Sequence, residues 1–109
     1  MEKLFDRAIE QKEITAWVCS NDTVAFMALD YLQRKDISVP EQVSVMGFDD
    51  SEQAHIRRLT SYNFNVDTLV YRIVNSVLNL RAFPKSKKRV EIEGMIMERD
   101  TTCQRKEYL

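Results

Sequence analysis

The chain is short of several things that would narrow its chemistry. It has two cysteines, Cys19 and Cys103, far apart and without the short spacing of a metal-binding pair. Cys19 falls in an apolar run and Cys103 in a polar tail, so both are expected as free thiols in a reducing compartment. No metal or other cofactor is implied, and the cytoplasm is the expected location. No apolar stretch approaches the ~20 residues of a membrane-spanning helix. The opening Met1-Glu2-Lys3 begins an amphipathic pattern rather than a signal peptide. Nor does one charge dominate: 16 Lys and Arg stand against 17 Asp and Glu, a formal net charge of −1. That gives no electrostatic reason to hold nucleic acid or an anionic membrane. The basic run Lys85–Arg89 is short and reads as a solvated loop. Histidine occurs once, at His55 in a short charged segment, where a surface or subunit-interface role outweighs a catalytic one.

What is present fits one soluble domain with one core: 109 residues, 44% hydrophobic and 30% charged. Residues 3–12 place Leu4, Phe5, Ala8 and Ile9 on one helical face. Residues 14–19 form an apolar run of strand length, with Trp17 expected in the core. Asn21 or Asp22 can cap a helix over 23–34, which Asp36 ends in the left-handed conformation. A strand over 43–48 follows the loop at Pro40. Glu52–Arg58 is a short helix, and Leu59–Val66 is extended. Asp67 is the expected cap of a helix at 68–80. Phe83–Arg89 is a loop, and Val90–Glu98 alternates as a strand with Gly94 as a bulge. Residues from Thr101 are expected to fray. Met27, Met46, Met95 and Met97 are expected to fill gaps in the core. The alternation of helix and strand predicts an α/β fold, an open parallel sheet with flanking helices.

The polar strand tips carry the functional argument. Val43-Ser44-Val45-Met46 runs into Gly47-Phe48-Asp49-Asp50, and Ala16-Trp17-Val18-Cys19 runs into Ser20-Asn21-Asp22. Ligands of open parallel sheets bind beyond the carboxyl ends of the strands, and a βαβ connection puts both ends on one edge. Asn21 and Asp49 are therefore expected side by side at a ligand site. A catalytic or metal-binding role for Asp49 and Asp50 is less natural, because adjacent strand residues point to opposite faces. A phosphoacceptor domain would need a lysine after a later strand, where Met95-Ile96-Met97 stands instead.

Four pieces, TAWVCSNDTVAFMAL, LQRKDISVPEQVSVMGFDD, LTSYNFN and VEIEGMIMERDTT, together resemble the effector-binding domain of the lactose-repressor and galactose-repressor family of bacterial transcription regulators. The resemblance covers roughly 14–102. It implies a periplasmic-binding-protein-like fold of two lobes and no enzymatic activity. Residues 1–64 would belong to the C-terminal lobe, 65–89 to a crossover in the N-terminal lobe, and 90–109 to a return strand and tail. The family's effector domain is much longer than this chain and follows a DNA-binding headpiece, so DNA would be met only through a segment outside this chain. Asn21 and Asp49 match positions that hold a small-molecule effector, usually a sugar. Asp22 and Asp50 are expected to cap helices and hold strand ends. Phe64 matches a third contact position, where it could stack on a sugar ring or pack at the hinge. The resemblance also implies a homodimer or larger, with Phe26, Asp30, Ala54 and His55 at the interface. The run Ile56-Arg57-Arg58-Leu59 is shorter than the family's and lacks its prolines. Val70-Tyr71 replaces a glycine-containing stretch. The rival readings are a purely structural or interaction role and, more remotely, an α/β enzyme.

Overall fold

The computed structural model describes residues 1–79 and 91–105. Helix α1 (Glu2–Glu10) leads into β1 (Ala16–Val18), α2 (Asp22–Arg34), β2 (Ser44–Phe48), the short α3 (Glu52–Ile56), β3 (Thr60–Asn63), α4 (Val66–Leu78) and β4 (Met95–Met97). The four strands form one sheet in the order β1-β2-β3-β4. The first three run parallel, with Trp17 opposite Val45 and Gly47 opposite Ser61. β4 is antiparallel to β3.

One face of the sheet carries the core. Trp17 stacks on Phe5 of α1, with ring centroids 5.5 Å apart and planes at 11°, and Tyr31 of α2 closes the aromatic group. Ala25, Ala28 and Leu32 of α2 and Val45 of β2 are fully buried. Small residues let α2 lie close to the sheet, and Gly47 is a point of close approach. A Cβ at Gly47 would overlap the Asp22 carboxylate and stand 3.2 Å from Ala25 Cβ. Burial also pushes the Cys19 thiol up from its ordinary value, which keeps it unreactive. Register partners share a face of a sheet, so Val18, Met46, Phe48, Tyr62 and Ile96 all lie on the opposite side. That side is open: Val18 and Ile96 are 68% and 59% exposed.

Several expectations need correction. The last strand is Met95–Met97 rather than 90–98, and it runs against its neighbour. Alternation along a strand marks its faces but not its direction. Gly94 lies just before the strand, pressed against Asn63 O and the Tyr62 ring, instead of forming a bulge within it. Met95 is 62% and Met27 42% exposed, so neither fills the core. α4 begins at Val66, two residues before the Asp67 cap would allow. Asn65 turns the chain in the left-handed region at φ 58°, and its side chain donates to Glu93 O at 3.2 Å. The end of that helix beyond 79, the loop at 83–89 and Val90 lie outside the described residues.

The strip Thr101–Cys103 is not frayed, and residues 106–109 lie outside the described residues. Thr101 is buried and bridges the two central strands. It exchanges two hydrogen bonds with Val45: the Val45 N–H donates to Thr101 O at 2.8 Å, and the Thr101 hydroxyl donates to Val45 O at 2.7 Å. Its Oγ1 also accepts from the Thr60 N–H at 2.9 Å. β3 begins opposite Met46, so Thr101 completes the ladder of β2 where β3 has not yet started. α4 differs from every other helix in having no buried residue. Leu69, Val70, Ile73, Val74, Val77 and Leu78 are all exposed.

Candidate functional site

The carboxyl ends of β1, β2 and β3 meet at one edge, because the three strands are parallel neighbours. Asn21 follows β1 with extended backbone, φ −159° and ψ 175°. Its Oδ1 accepts from the Val24 N–H at 2.9 Å and caps α2, settling which of Asn21 and Asp22 is the cap. A helix start leaves amides unsatisfied, and an asparagine oxygen is a good acceptor for one of them. The Nδ2 of Asn21 makes no hydrogen bond among the described residues, so it is left as a donor at the edge.

After β2 the chain turns through two consecutive left-handed residues, Asp49 at φ 101° and Asp50 at φ 49°. Such conformations cost energy in a residue with a Cβ and concentrate at functional sites. They also separate the two carboxylates. Asp49 is exposed; its N–H donates to Tyr62 O at 3.0 Å, and its carboxylate has no partner among the described residues. Asp50 turns inward, its side chain 4% exposed. It accepts from Arg99 Nη2 at 2.5 Å and Asn63 Nδ2 at 3.0 Å, with His55 Nε2 at 3.4 Å. Burial pushes its pKa up, but the hydrogen bonds from Arg99 and Asn63 and the nearby positive charges prevail. Its carboxyl is therefore held below the ordinary carboxylate value.

Asp22 is the second buried carboxylate, 3% exposed. It accepts from the Ser51 N–H at 2.8 Å and from the Ser61 hydroxyl at 2.6 Å. The Ser61 oxygen in turn accepts from the Asp50 N–H at 2.9 Å. Asp22 and Asp50 thus hold the strand tips as expected and leave Asn21 and Asp49 to face outward, but neither caps a helix: Asn21 caps α2 and Ser51 caps α3.

Phe64 stands 47% exposed beyond β3. Its ring lies 5.0 Å from Tyr62, edge to face, and 5.9 Å from Phe48. Phe48 and Tyr62 are themselves 5.7 Å apart. Three aromatic rings therefore line the open side of the sheet next to the strand tips.

The residues assigned to an interface fall into two groups. Phe26 is half-buried, with the Arg57 guanidinium 4.8 Å over its ring. Arg57 also donates to Asp30 at 2.8 Å, which ties α2 to the chain after α3. Ala54 is fully buried beneath α3, so the outward side of that helix is carried by His55 and its neighbours. His55 lies over the Arg99–Asp50 pair.

Arg99 has a role that the sequence reading missed. Besides Asp50 it donates to Leu59 O at 2.7 Å, and its N–H donates to Thr60 Oγ1 at 2.9 Å. Its side chain is 7% exposed. The only trace in the sequence was its place in the closing ERDTT. Among the described residues no group of three His, Cys, Asp or Glu side chains could hold a metal ion, and no helix is long and apolar enough to cross a membrane.

Three parallel strands thus bring polar tips, a cap asparagine and an outward aspartate to one edge of the sheet. The chain belongs to the periplasmic binding protein-like domain family, whose family model matches residues 1–102. The curated relatives it matches and the solved structures it superposes on are transcriptional regulators, the latter of the LacI family. The HTH-type transcriptional repressor PurR of Vibrio cholerae is 33% identical over 102 residues, covering 83% of this chain and 28% of PurR. The crystal structure of the Escherichia coli transcriptional repressor AscG superposes with a TM-score of 0.79 at 28% identity, covering 92% of this chain and 37% of that one. A sugar-binding LacI-family regulator from Escherichia coli, crystallised with phosphate, gives a TM-score of 0.74 at 28% identity, covering 89% and 36%. The chain spans between 10% and 28% of the length of curated relatives it matches.

Proposed function

We propose that this chain supplies one wall of an effector cleft, and that the effector is a sugar or a sugar-like polyol. The observation that carries the reading is the division of labour at the strand tips. Two carboxylates, Asp22 and Asp50, are consumed internally, while Asn21 Nδ2 and the Asp49 carboxylate have no partner among the described residues. A carboxylate accepts from two vicinal hydroxyls, and an amide N–H₂ donates to a third oxygen. Phe64, backed by Tyr62 and Phe48, offers a flat apolar surface for the non-polar face of a ring. The sugar-binding relative supports the same class of ligand.

In this reading residues 1–64 belong to the C-terminal lobe, 65–89 to a crossover in the N-terminal lobe and 90–109 to the return. The absence of any buried residue in α4 fits a helix whose packing surface lies elsewhere. DNA is contacted through a separate headpiece, in the cytoplasm. Two subunits pair through Phe26, Asp30, Ala54 and His55, with Ala54 acting by seating α3 and the other three by contact.

The test uses the full-length regulator. A thermal-shift screen of pentoses, hexoses, disaccharides and nucleobases should single out a polyol. Asp49→Ala should then weaken its binding by about 10- to 100-fold in calorimetry, the loss expected for a hydrogen bond to a charged group, with little change in melting temperature. A nucleobase as the best ligand, or unchanged affinity in Asp49→Ala, would overturn the assignment.

A further inference from the structure

The chain leaves the sheet at the end of β3 and returns to it at β4, and the two crossing runs touch. Asn63 lies opposite Met95 in the register. A Cβ at Gly94 would overlap Asn63 O and the Tyr62 ring, so glycine is what lets the returning run lie this close. No residue of α4 is buried, so the run before it has to set its direction. Asn65 does this in the left-handed region, at φ 58° and ψ 47°, without a side-chain cap on the helix. Its side chain reaches sideways instead and donates to Glu93 O at 3.2 Å.

Asn63 joins this crossing to the aspartate turn. Its Nδ2 donates to Asp50 Oδ2 at 3.0 Å, and its Oδ1 accepts from the Asn65 N–H at 2.7 Å. A carboxylate can only accept and a backbone N–H can only donate, so the amide fits in one orientation. Aspartate at this position would lose the donor, and alanine would lose both bonds. Asp50 is itself gripped by Arg99 and shares the left-handed turn with Asp49. A continuous polar path therefore runs from the turn after β2, through one side chain, to both crossing runs.

We propose that Asn63 is a positioning residue. It couples the setting of the Asp49–Asp50 turn to that of the Asn65–Glu93 crossing, so that a ligand gripped by Asp49 and a rotation of α4 bias one another. The ligand half of this statement rests on the effector reading, and the coupling does not. Coupling between two sites is reciprocal, so the crossing can be perturbed and the turn read with no ligand present.

The experiment is a double-mutant cycle on the ¹⁵N-labelled 109-residue chain, followed by NMR. Asn65→Gly suits a φ of 58° and removes the bond to Glu93. In that variant the amides of Asp49 and Asp50 should shift. The Asp50 N–H, which donates to Ser61 Oγ, should exchange with solvent about 3- to 10-fold faster, the worth of one neutral hydrogen bond. In an Asn63→Ala background the same change at Asn65 should leave both amides where Asn63→Ala alone puts them. The Val45 N–H, bonded to Thr101 O, should keep its exchange rate throughout. Unmoved Asp49 and Asp50 amides in Asn65→Gly, or the same response with Asn63 already gone, overturn the coupling. An equal acceleration at Val45 marks general loosening and overturns it too. So does an Asn65 N–H that exchanges as fast as an unstructured amide in wild-type protein, a result that needs no variant to fold. With no ligand in the tube, any of these failures leaves the effector reading intact, and a failed effector screen leaves the coupling intact.

Discussion

Gly47→Ala is the sharpest test of how the strand tips are built. Gly47 has no left-handed φ, so backbone freedom is not why it must be glycine. Space is. The new methyl would overlap the Asp22 carboxylate, 3.1 Å from Asp22 Cα and 3.2 Å from Ala25 Cβ. Two responses are available. α2 can lift off the sheet, which opens the packing of the fully buried Ala25, Ala28 and Leu32. Alternatively, Asp22 can swing away and abandon the Ser51 N–H and the Ser61 hydroxyl. The first costs what overpacking costs, about 1–3 kcal/mol. The second forfeits two hydrogen bonds to a charged group, about 3–6 kcal/mol together. Relaxation mixes the two, so a loss of about 3 kcal/mol is expected. That is a large share of the 5–15 kcal/mol typical of a folded domain. Urea unfolding with linear extrapolation measures it. A double-mutant cycle then isolates the cause. With Asp22→Ala already in place the methyl has room, and Gly47→Ala should cost about 1 kcal/mol or less. A single-mutant loss below about 1 kcal/mol, or strict additivity in the cycle, would refute the close-approach argument.

Three further outcomes follow from other contacts. Asp50 has a folded pKa below its ordinary value, so its stabilisation is complete above the unfolded carboxylate pKa of about 4 and is lost as pH falls through the folded value. Unfolding followed from neutral to acidic pH should show this slope, and Asp50→Asn should flatten it; an unchanged slope would count against the Asp50–Arg99 pair. Thr101→Val keeps the shape but leaves Val45 O and Thr60 N–H without their hydroxyl partner, at a cost of about 2 kcal/mol. A calorimetric melt indistinguishable from wild type would exclude the bridging role. Asp49→Gly should raise stability by about 1 kcal/mol because φ 101° suits glycine. Asp49→Ala should not, and equal effects would argue against backbone strain at the turn.

The parts of the fold legible in the sequence were those written in local signals. The apolar runs before Asn21 and Asp49 marked two strands, and the polar residues after them marked the tips. The assignment of Asp22 and Asp50 to structural work also stands, since both carboxylates are buried in hydrogen bonds. What escaped was long-range and polar. Arg99 meets Asp50 across 49 positions and Thr101 meets Val45 across 56, and neither pairing leaves a periodic trace. Thr101 looked like a tail because its neighbours are hydrophilic, yet its own groups are spent on strand edges. β4 was misread in direction and length because its alternation continued into residues that do not pair with β3. The helix after β3 was placed too late because a left-handed asparagine, rather than an aspartate side chain, starts it.

The Thr101 bridge also has a temporal consequence. Thr101 lies 41 positions after Thr60 and 56 after Val45. On the ribosome β2 and β3 emerge first, and the edge of β2 waits with its Val45 amide and carbonyl unpaired. Until the return strip is synthesised, that edge is open to a strand from any neighbouring nascent chain. The edge of β2 is sealed only when Thr101 has been made, so a ribosome that stalls shortly before it leaves a chain with an open, aggregation-prone strand edge.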